Sequence, residues 1–294
     1  MGSKLKDKGR YLHDQRDQLI ERLREENAED LIGPMEDCGG KVILICTCCG
    51  EYKEATVHCK RRWCPACQPM ITAKRVERWN YAINKLQWPL FVTLTIQNSE
   101  DPEQLREIRK GWGKLRRRKL IASKIKGGVA TFEITNKGNG WHPHIHAVAD
   151  CRWLSLNVPE PLRRDPPEIC EEKKQLAQKE LSAVWAECIN QPIAVVHVRR
   201  VYEPGSVARE ILKYCMKGTE LIESPDPIAP MLRVLRKSRM LSGWGSLHPL
   251  PSPDEEDKPA LECPKCHAQK SFLPSDVVSR ITQRDDIRSY QAPR

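Results

Sequence analysis

Two alternating runs of residues, joined by a short turn, constrain the fold more than any other feature of the chain. The first run is GGVATFEIT (127–135), the second is HPHIHAVAD (142–150), and NKGNGW connects them. Alternating apolar and polar side chains are typical of a half-buried strand, and Asn and Gly residues favour a hairpin turn. The sequence therefore predicts an antiparallel β-hairpin.

One face of this hairpin carries two histidines and an acid. His144 and His146 are two positions apart, so their side chains point to the same face of a strand. An antiparallel pair keeps the sum of facing residue numbers constant, and a register with Glu133 opposite either histidine puts its carboxylate beside both. Two imidazoles and one carboxylate, with open positions for water and substrate, predict a catalytic site for a divalent metal.

Two further histidines lie near this pattern. His142 falls on the same face by parity, but it precedes Pro143 at the turn, so we expect it to neighbour the metal rather than bind it. His197, in a later strand, is expected to have a structural role or to contact phosphate. The alternative is that all of these are surface histidines on a hairpin, which the acid in the adjoining strand disfavours.

The segments around the hairpin predict the rest of the domain. LFVTLTIQN (90–98) alternates as a strand, a helix follows Asp101-Pro102, and residues 170–189 form a long amphipathic helix before a fourth strand in 192–201. This order favours an α+β fold, an antiparallel sheet with helices on one side. We divide the chain into a charged N-terminal helical arm (1–34), a zinc-binding module (35–75), this α+β domain (76–222) and a loosely attached Pro-rich C-terminal extension (223–294).

The cysteines indicate a metal rather than disulfides. Seven of the thirteen lie between residues 38 and 67, and four of them have the spacing Cys-x2-Cys-x14-Cys-x2-Cys, which is typical of a structural zinc site. The expected ligands are Cys46, Cys49, Cys64 and Cys67. Cys59 could replace one of these four. The later CPKCH (263–267) is half a site, which could bind zinc with a distant cysteine, join two chains through a metal, or have no role.

The charge of the chain favours a partner that carries phosphate. The formal net charge is +10, and the basic residues concentrate in residues 109–128. Candidate DNA contacts are Lys114, Arg116, Arg117 and Arg118 in this run and Lys60, Arg61 and Arg62 in the cysteine module; in both places the alternative is a solvated surface. No apolar run is long enough to span a membrane and no secretory signal is present, so we expect a cytoplasmic protein with no membrane partner.

A tyrosine follows in a short amphipathic segment, VAREILKYCMKG (207–218). Helical spacing places Glu210, Tyr214 and Lys217 on one polar face. A phenol can attack a phosphodiester when a metal polarises the phosphate and a cation favours the phenolate, which Lys217 can supply. Glu210 is placed to activate a water or a second hydroxyl. The alternative is a tyrosine with no chemical role at the shoulder of a helix.

With these residues in this order, the sequence resembles the HUH endonuclease superfamily, and specifically the rolling-circle replication initiators of small bacterial plasmids. The matching segments are FVTLTIQN, HPHIH and EILKYCMKG, over residues of about 88–218. Such proteins nick one strand of a hairpin origin, form a 5′-phosphotyrosine bond, leave a 3′-OH primer and later rejoin the displaced strand. Position 218 is Gly where relatives with two tyrosines have the second, so this chain looks like a single-tyrosine enzyme.

The resemblance also implies the fold, the cofactors and the partners. The fold is ferredoxin-like or RRM-like, Glu133 completes the triad for Mg²⁺ or Mn²⁺, and Glu210 ends a round by hydrolysis. The implied partners are single-stranded or hairpin origin DNA and the host helicase and polymerase, while the oligomeric state stays open.

Two other functions compete with this interpretation. CKRRWCPAC (59–67) is similar to the zinc segment of IS91-type transposases, which belong to the same superfamily. A zinc-ribbon DNA-binding regulator without catalysis would explain the cysteines and the charge. It would not explain why Glu133, His144, His146 and Tyr214 occur in this order.

Overall fold

The protein is described here by a computed structural model that covers residues 2–201, 211, 221–236, 238–248, 263–268 and 272–274. The strands in these residues are β1 (Lys41–Cys46), β2 (Tyr52–Thr56), β3 (Pro89–Thr95), β4 (Gly127–Asn136), β5 (Trp141–Asp150), β6 (Val195–Arg200), β7 (Leu241–Gly245) and β8 (Phe272–Pro274). The helices are α1 (Gly2–Glu25), α2 (Glu29–Ile32), α3 (Gln68–Ile83), α4 (Gln104–Arg117), α5 (Lys119–Ala122), α6 (Pro167–Ile189) and α7 (Ala229–Arg236).

A five-stranded sheet with the order β6-β3-β5-β4-β7 carries the α+β domain, and each neighbouring pair in it is antiparallel. The predicted hairpin is present as β4 and β5. Its register places Glu133 opposite His144 and Thr131 opposite His146. The predicted α+β class and antiparallel sheet are confirmed.

The apolar face of this sheet packs against α4 and α6. Val92, Phe132 and Ala147 lie in one buried cluster with Trp112 of α4 and Trp185 of α6. Alternation along each strand sends these apolar side chains to one face and the threonines and histidines to the other. Trp185 is fully buried, and its indole N–H donates to the carbonyl of Thr95 at 3.1 Å. Truncation of a core tryptophan typically costs about 3–5 kcal/mol, so this contact anchors α6 on the sheet.

A third helix, α3, packs on the opposite face. Trp79 and Ile83 form a buried cluster with Phe91, Val129 and Val148. Helices therefore lie on both faces of the sheet, whereas the sequence predicted one side, because the apolar stripe of α3 needs a surface to cover. Phe91, Val129 and Val148 are at one end of this face, and the histidines follow beyond them.

The C-terminal extension is not loosely attached in its described parts, which corrects the prediction for residues 223–294. Strand β7 pairs with β4 as an edge of the five-stranded sheet, and Trp244 meets Trp112 edge to face with ring centroids 5.1 Å apart. Strand β8 pairs with β1 in a second sheet of order β2-β1-β8. The sequence did not predict these two short strands, because the high Pro content of the surrounding residues is typical of loops.

The N-terminal arm also packs more closely than its charge suggested. Leu19 and Leu23 of α1 are fully buried. Arg22 donates to the carbonyls of Leu221 at 3.3 Å, of Ile222 at 2.7 Å and of Asp226 at 2.8 Å. The Glu26 carboxylate accepts from the backbone N–H groups of Ile228 and Ala229 at the start of α7. Helix α1 thus holds the segment that follows residue 220.

Candidate active site and metal centres

The predicted histidine face exists, and its centre is a contact between His146 and Glu133. Nε2 of His146 lies 2.9 Å from Oε2 of Glu133, and the two side chains are 8% and 15% exposed. His144 lies beside them, because it faces Glu133 directly across the β4–β5 pair. The structure therefore brings together the three residues that the sequence predicted as ligands of a catalytic metal.

Two threonines of β3 hold the histidine rings. Oγ1 of Thr93 lies 3.3 Å from Nδ1 of His146, and Oγ1 of Thr95 lies 3.5 Å from Nδ1 of His144. A partner on Nδ1 orients the ring and presents Nε2 as the atom available to a metal. Sequence reasoning assigned no role to these threonines. Their alternation on the polar face of an otherwise apolar strand was the signal.

The environment of His144 favours the neutral imidazole. Burial is the main cause that lowers its pKa to about 4, and the nearby His142 adds to the effect. The ring centroid of His142 lies 4.1 Å from that of His144, and His146 lies 5.8 Å away on the other side. A neutral imidazole is the form that binds a metal. Imidazole nitrogens and carboxylate oxygens are donor types that suit a divalent cation.

A cleft of about 760 Å³ opens beside these residues. It is lined by Glu133 and His144, by Asn136 and Lys137 at the hairpin turn, and by Leu221 and Glu223 from the segment that α1 holds. A cavity of this size takes a small-molecule ligand or a short stretch of a polymer. One wall thus carries candidate metal ligands and another carries the chain just after residue 220.

The predicted nucleophile and its two partners, Tyr214, Lys217 and Glu210, lie outside the described residues. Ile211, which is described, is fully buried in the cluster with Phe91, Val129 and Val148. That cluster is on the histidine face of the sheet.

The basic residues of α4 do not meet the histidine face, because α4 packs on the other side of the sheet. The guanidinium of Arg116 lies over the rings of Trp112 and Trp244 at 5.4 and 5.5 Å, and its burial lowers its pKa. Arg118 pairs with Glu187 at 2.7 Å. Lys114 and Arg117 are exposed. Of this run, these last two are best placed to meet a separate molecule.

The basic residues of the cysteine module also differ among themselves. Arg61 lies over the ring of Trp63 at 5.6 Å, and Arg62 donates to the carbonyl of Ser238 at 2.5 Å. Lys60 is exposed, with a positive φ of 53°. Arg62 therefore links the module to the C-terminal part of the chain, whereas Lys60 is open to solvent.

In the described part of the chain, the cysteines form two clusters of four rather than the single site that the sequence predicted. Within each cluster the sulfurs lie within 4.8 Å of one another, and either cluster could hold a metal ion such as zinc. The first cluster is Cys38, Cys59, Cys64 and Cys67; the second is Cys46, Cys49, Cys263 and Cys266. The predicted set of Cys46, Cys49, Cys64 and Cys67 is therefore wrong as a group, since its two pairs belong to different clusters.

Each Cys-x2-Cys turn offers two sulfurs, and spacing alone does not show which turn faces which. Cys38 and Cys59 complete the cluster around Cys64 and Cys67, so Cys59, the expected alternative, takes part. Contact with Cys64 and burial raise the pKa of Cys59, and burial raises the pKa of Cys38 to about 11. These thiols keep their protons until a cation replaces them.

The comparisons with known proteins identify the family. The family of proteins described as "Replication protein" matches residues 52–272, about three quarters of the chain. The chain belongs to this replication protein family. The matched region includes β7 and the CPKCH turn, so it extends past residue 222, where we expected the domain to end.

A curated relative has a similar description. A "Protein rep" from Staphylococcus aureus is 29% identical over 142 residues, which are 44% of this chain and 61% of the relative. The chain thus matches less than two thirds of the length of that relative. Among the described residues, no helix has the length and apolar character that a membrane crossing requires.

Proposed function

We propose that this protein initiates rolling-circle replication as a site-specific single-strand DNA endonuclease of the HUH superfamily. The observation that carries the proposal is the placement of Glu133, His144 and His146 together on one face of an antiparallel sheet. Membership of a replication protein family supports a role at an origin. Ile211, three positions before Tyr214 in the sequence, is buried against the histidine face of the sheet.

His144, His146 and Glu133 would hold Mg²⁺ or Mn²⁺, and Thr93 and Thr95 would keep the two rings in position. When bound, the cation supplies Lewis acidity that polarises the scissile phosphate and orients the DNA strand. The neutral state of His144 leaves a lone pair for this role.

In the proposed step, the phenolic oxygen of Tyr214 attacks the scissile phosphorus. A bond forms between that oxygen and the 5′-phosphate, and the bond from phosphorus to the 3′-oxygen breaks. The phenol loses its proton and the 3′-oxygen gains one, which leaves a 3′-hydroxyl primer. The reverse reaction, with a different 3′-hydroxyl, rejoins a strand. Transesterification conserves the phosphodiester energy, so no further co-reactant is needed.

Lys217 and Glu210 would complete the machinery. The ammonium of Lys217 favours the phenolate and the charge that develops on the phosphate. Glu210 would remove a proton from a water or from a second hydroxyl when a round ends. This assignment rests on one tyrosine, because position 218 is Gly.

The substrate would be single-stranded DNA or an extruded hairpin, because a duplex does not present one strand freely to the site. The cleft beside Glu133 and His144 is open to such a strand. Lys60, Lys114 and Arg117 would contact backbone away from the reacting phosphate. The host helicase and polymerase would then extend the 3′-hydroxyl, and the first cysteine cluster would hold a structural Zn²⁺.

The test uses a pool of oligonucleotide hairpins with randomised loops, labelled at the 3′ end, and Mn²⁺. We expect a labelled protein band that resists boiling in detergent, since the 5′-phosphate side of the nick stays on the protein. Tyr214→Phe should abolish this band. Tyr52→Phe is the matched control, because Tyr52 is 70% exposed in the other sheet.

Other outcomes would favour the competing functions. Binding of the hairpins without any adduct would support a regulator and overturn the enzyme. An adduct together with transfer of a donor segment between two DNA molecules in cells would support the transposase instead.

A further inference from the structure

Two cysteine turns far apart in the sequence have the same backbone structure. In the first turn, the N–H of Gly50 donates to the carbonyl of Cys46 at 2.9 Å, and the N–H of Cys46 donates to the carbonyl of Glu51 at 2.7 Å. In the second turn, residues 263–268, the N–H of His267 donates to the carbonyl of Cys263 at 2.9 Å. The N–H of Cys263 donates to the carbonyl of Ala268 at 3.0 Å. The two turns match position by position.

The residue after each second cysteine has a left-handed backbone. The φ of Gly50 is +72°, and the φ of His267 is +58°. Glycine adopts this conformation freely, but histidine does so less often. The second turn therefore has the same backbone shape as the first, although it has histidine where glycine would adopt the left-handed conformation more readily. This shape points both sulfurs of a Cys-x2-Cys turn to one side, where they can share a ligand.

The two turns face each other across one point. Sγ of Cys46 lies 3.7 Å from Sγ of Cys266, and Sγ of Cys49 lies 3.6 Å from Sγ of Cys263. A tetrahedral zinc ion with Zn–S bonds of about 2.3 Å separates its sulfurs by about 3.8 Å. The observed separations thus have the size that a four-thiolate zinc site requires.

We propose that Cys46, Cys49, Cys263 and Cys266 bind a second Zn²⁺ and form a zinc ribbon whose two halves are separated by most of the chain. Cys49 and Cys263 are 214 positions apart. The sequence between them holds the whole five-stranded sheet. The metal would therefore join the two ends of a closed loop of chain, and that loop contains the candidate active domain.

The pairing of β8 with β1, next to the two turns, would depend on this metal. Strand β8 has three residues and pairs only at Leu44, Ile45 and Cys46 of β1 among the described residues. A strand this short adds little stability of its own. Zinc bound by the turn at 263–266 would hold β8 against β1, so its release would free the C-terminal part from the first half of the ribbon.

The two clusters differ in exposure, which separates them experimentally. In the first cluster Cys38, Cys64 and Cys67 are buried in the main hydrophobic core, and Cys59 is partly buried against it. In the second cluster Cys46 and Cys263 are buried, but both Cys49 and Cys266 are only partly buried. A chelator should therefore remove the metal of the second cluster first.

The first experiment measures zinc per chain on the full-length protein by native mass spectrometry. We expect two zinc ions in the unmodified protein and one in the double variant Cys263→Ser, Cys266→Ser. Cys48→Ser is the matched control, because Cys48 lies in the same turn as Cys46 and Cys49 but is exposed and outside both clusters. It should retain two.

The second experiment needs no variant. A zinc chelator is added stepwise to the unmodified protein, and backbone hydrogen exchange is followed in residues 41–46 and 68–83. We expect two phases of zinc release, with loss of protection in 41–46 during the first phase only. One zinc per chain, two zinc ions retained in the double variant, or a single phase of release would each overturn the second site. These outcomes are independent of DNA cleavage.

Discussion

Oε2 of Glu133 lies 2.9 Å from Nε2 of His146, with both side chains largely buried on neighbouring strands. Replacement by the isosteric amide in Glu133→Gln keeps the size of the side chain and removes its negative charge. We expect weaker Mn²⁺ binding, and adduct formation with hairpin DNA lower by about 100-fold or more, because a ligand charge supports both. Titration calorimetry with Mn²⁺ and the gel assay measure the two effects.

The control for this variant is Glu54→Gln. Glu54 is exposed in β2 of the other sheet and lies 3.9 Å from Lys41, so its loss should leave both measurements unchanged. If Glu133→Gln bound Mn²⁺ as tightly as the unmodified protein, the carboxylate would not belong to the metal site.

Arg22 and Arg24 are neighbours on α1 with different surroundings. The Arg22 side chain is 20% exposed and donates to three backbone carbonyls, whereas that of Arg24 is 47% exposed and pairs with Glu21 and Glu36. Arg22→Ala should lower the free energy of unfolding by about 2 kcal/mol, because three part-buried carbonyls lose charged donors. Arg24→Ala should change it much less, because exposed ion pairs contribute little.

Denaturation in urea, followed by far-UV circular dichroism, measures both arginine variants. If Arg22→Ala lost no more stability than Arg24→Ala, the contacts of Arg22 with the segment after residue 220 would not stabilise the protein. A selective loss would establish that α1 fixes the chain that follows the predicted nucleophile.

Arg116 and Arg117 are adjacent in α4, and we expect them to act differently. Arg116→Ala should lower stability by about 1 kcal/mol or more, because its guanidinium and stem pack on Trp112 and Trp244. Arg117→Ala should leave stability unchanged and weaken binding to single-stranded DNA. It should also lower the slope of log affinity against log salt by about 0.7.

Fluorescence anisotropy of a labelled single-stranded oligonucleotide at several salt concentrations measures this slope. If Arg117→Ala left both the affinity and the slope unchanged, the exposed side of α4 would be a solvated surface, as charge runs commonly are.

The grouping of Glu133, His144 and His146 on one face could be predicted because strand alternation is local. Side chains two apart share a face, and the parity of an antiparallel register then placed Glu133 beside His144 and His146 without knowledge of the loop length. The threonine contacts to the rings were not predicted, because they depend on which strand lies next to β5. Strand order is a tertiary property that alternation does not encode.

The cysteine clusters illustrate the same limit. The turns themselves were visible in the sequence, but their pairing depends on how distant segments meet. Cys263 and Cys266 reach Cys46 and Cys49 only because β8 lies against β1. The attachment of the C-terminal extension was missed for a related reason, since β7 gains its stability from the edge of β4 rather than from its own composition.

The burial of His144 should make the stability of the protein depend on pH. The folded pKa of His144, lowered to about 4 mainly by burial, lies below the value of about 6.5 for an unfolded histidine. Between these values the unfolded chain binds a proton that the folded chain does not, so stability without Mn²⁺ should fall as the pH decreases from about 6.5 to 4. His144→Gln should show a shallower decrease, and His58→Gln, at an exposed position, should keep the slope of the unmodified protein. Urea denaturation at pH 7.5, 6.0 and 5.0 measures these slopes. Other titrating groups, including the cysteines, are the same in all three proteins, so the difference in slope between variants comes from the replaced histidine. Identical slopes for all three proteins would mean that His144 is not held neutral by its surroundings.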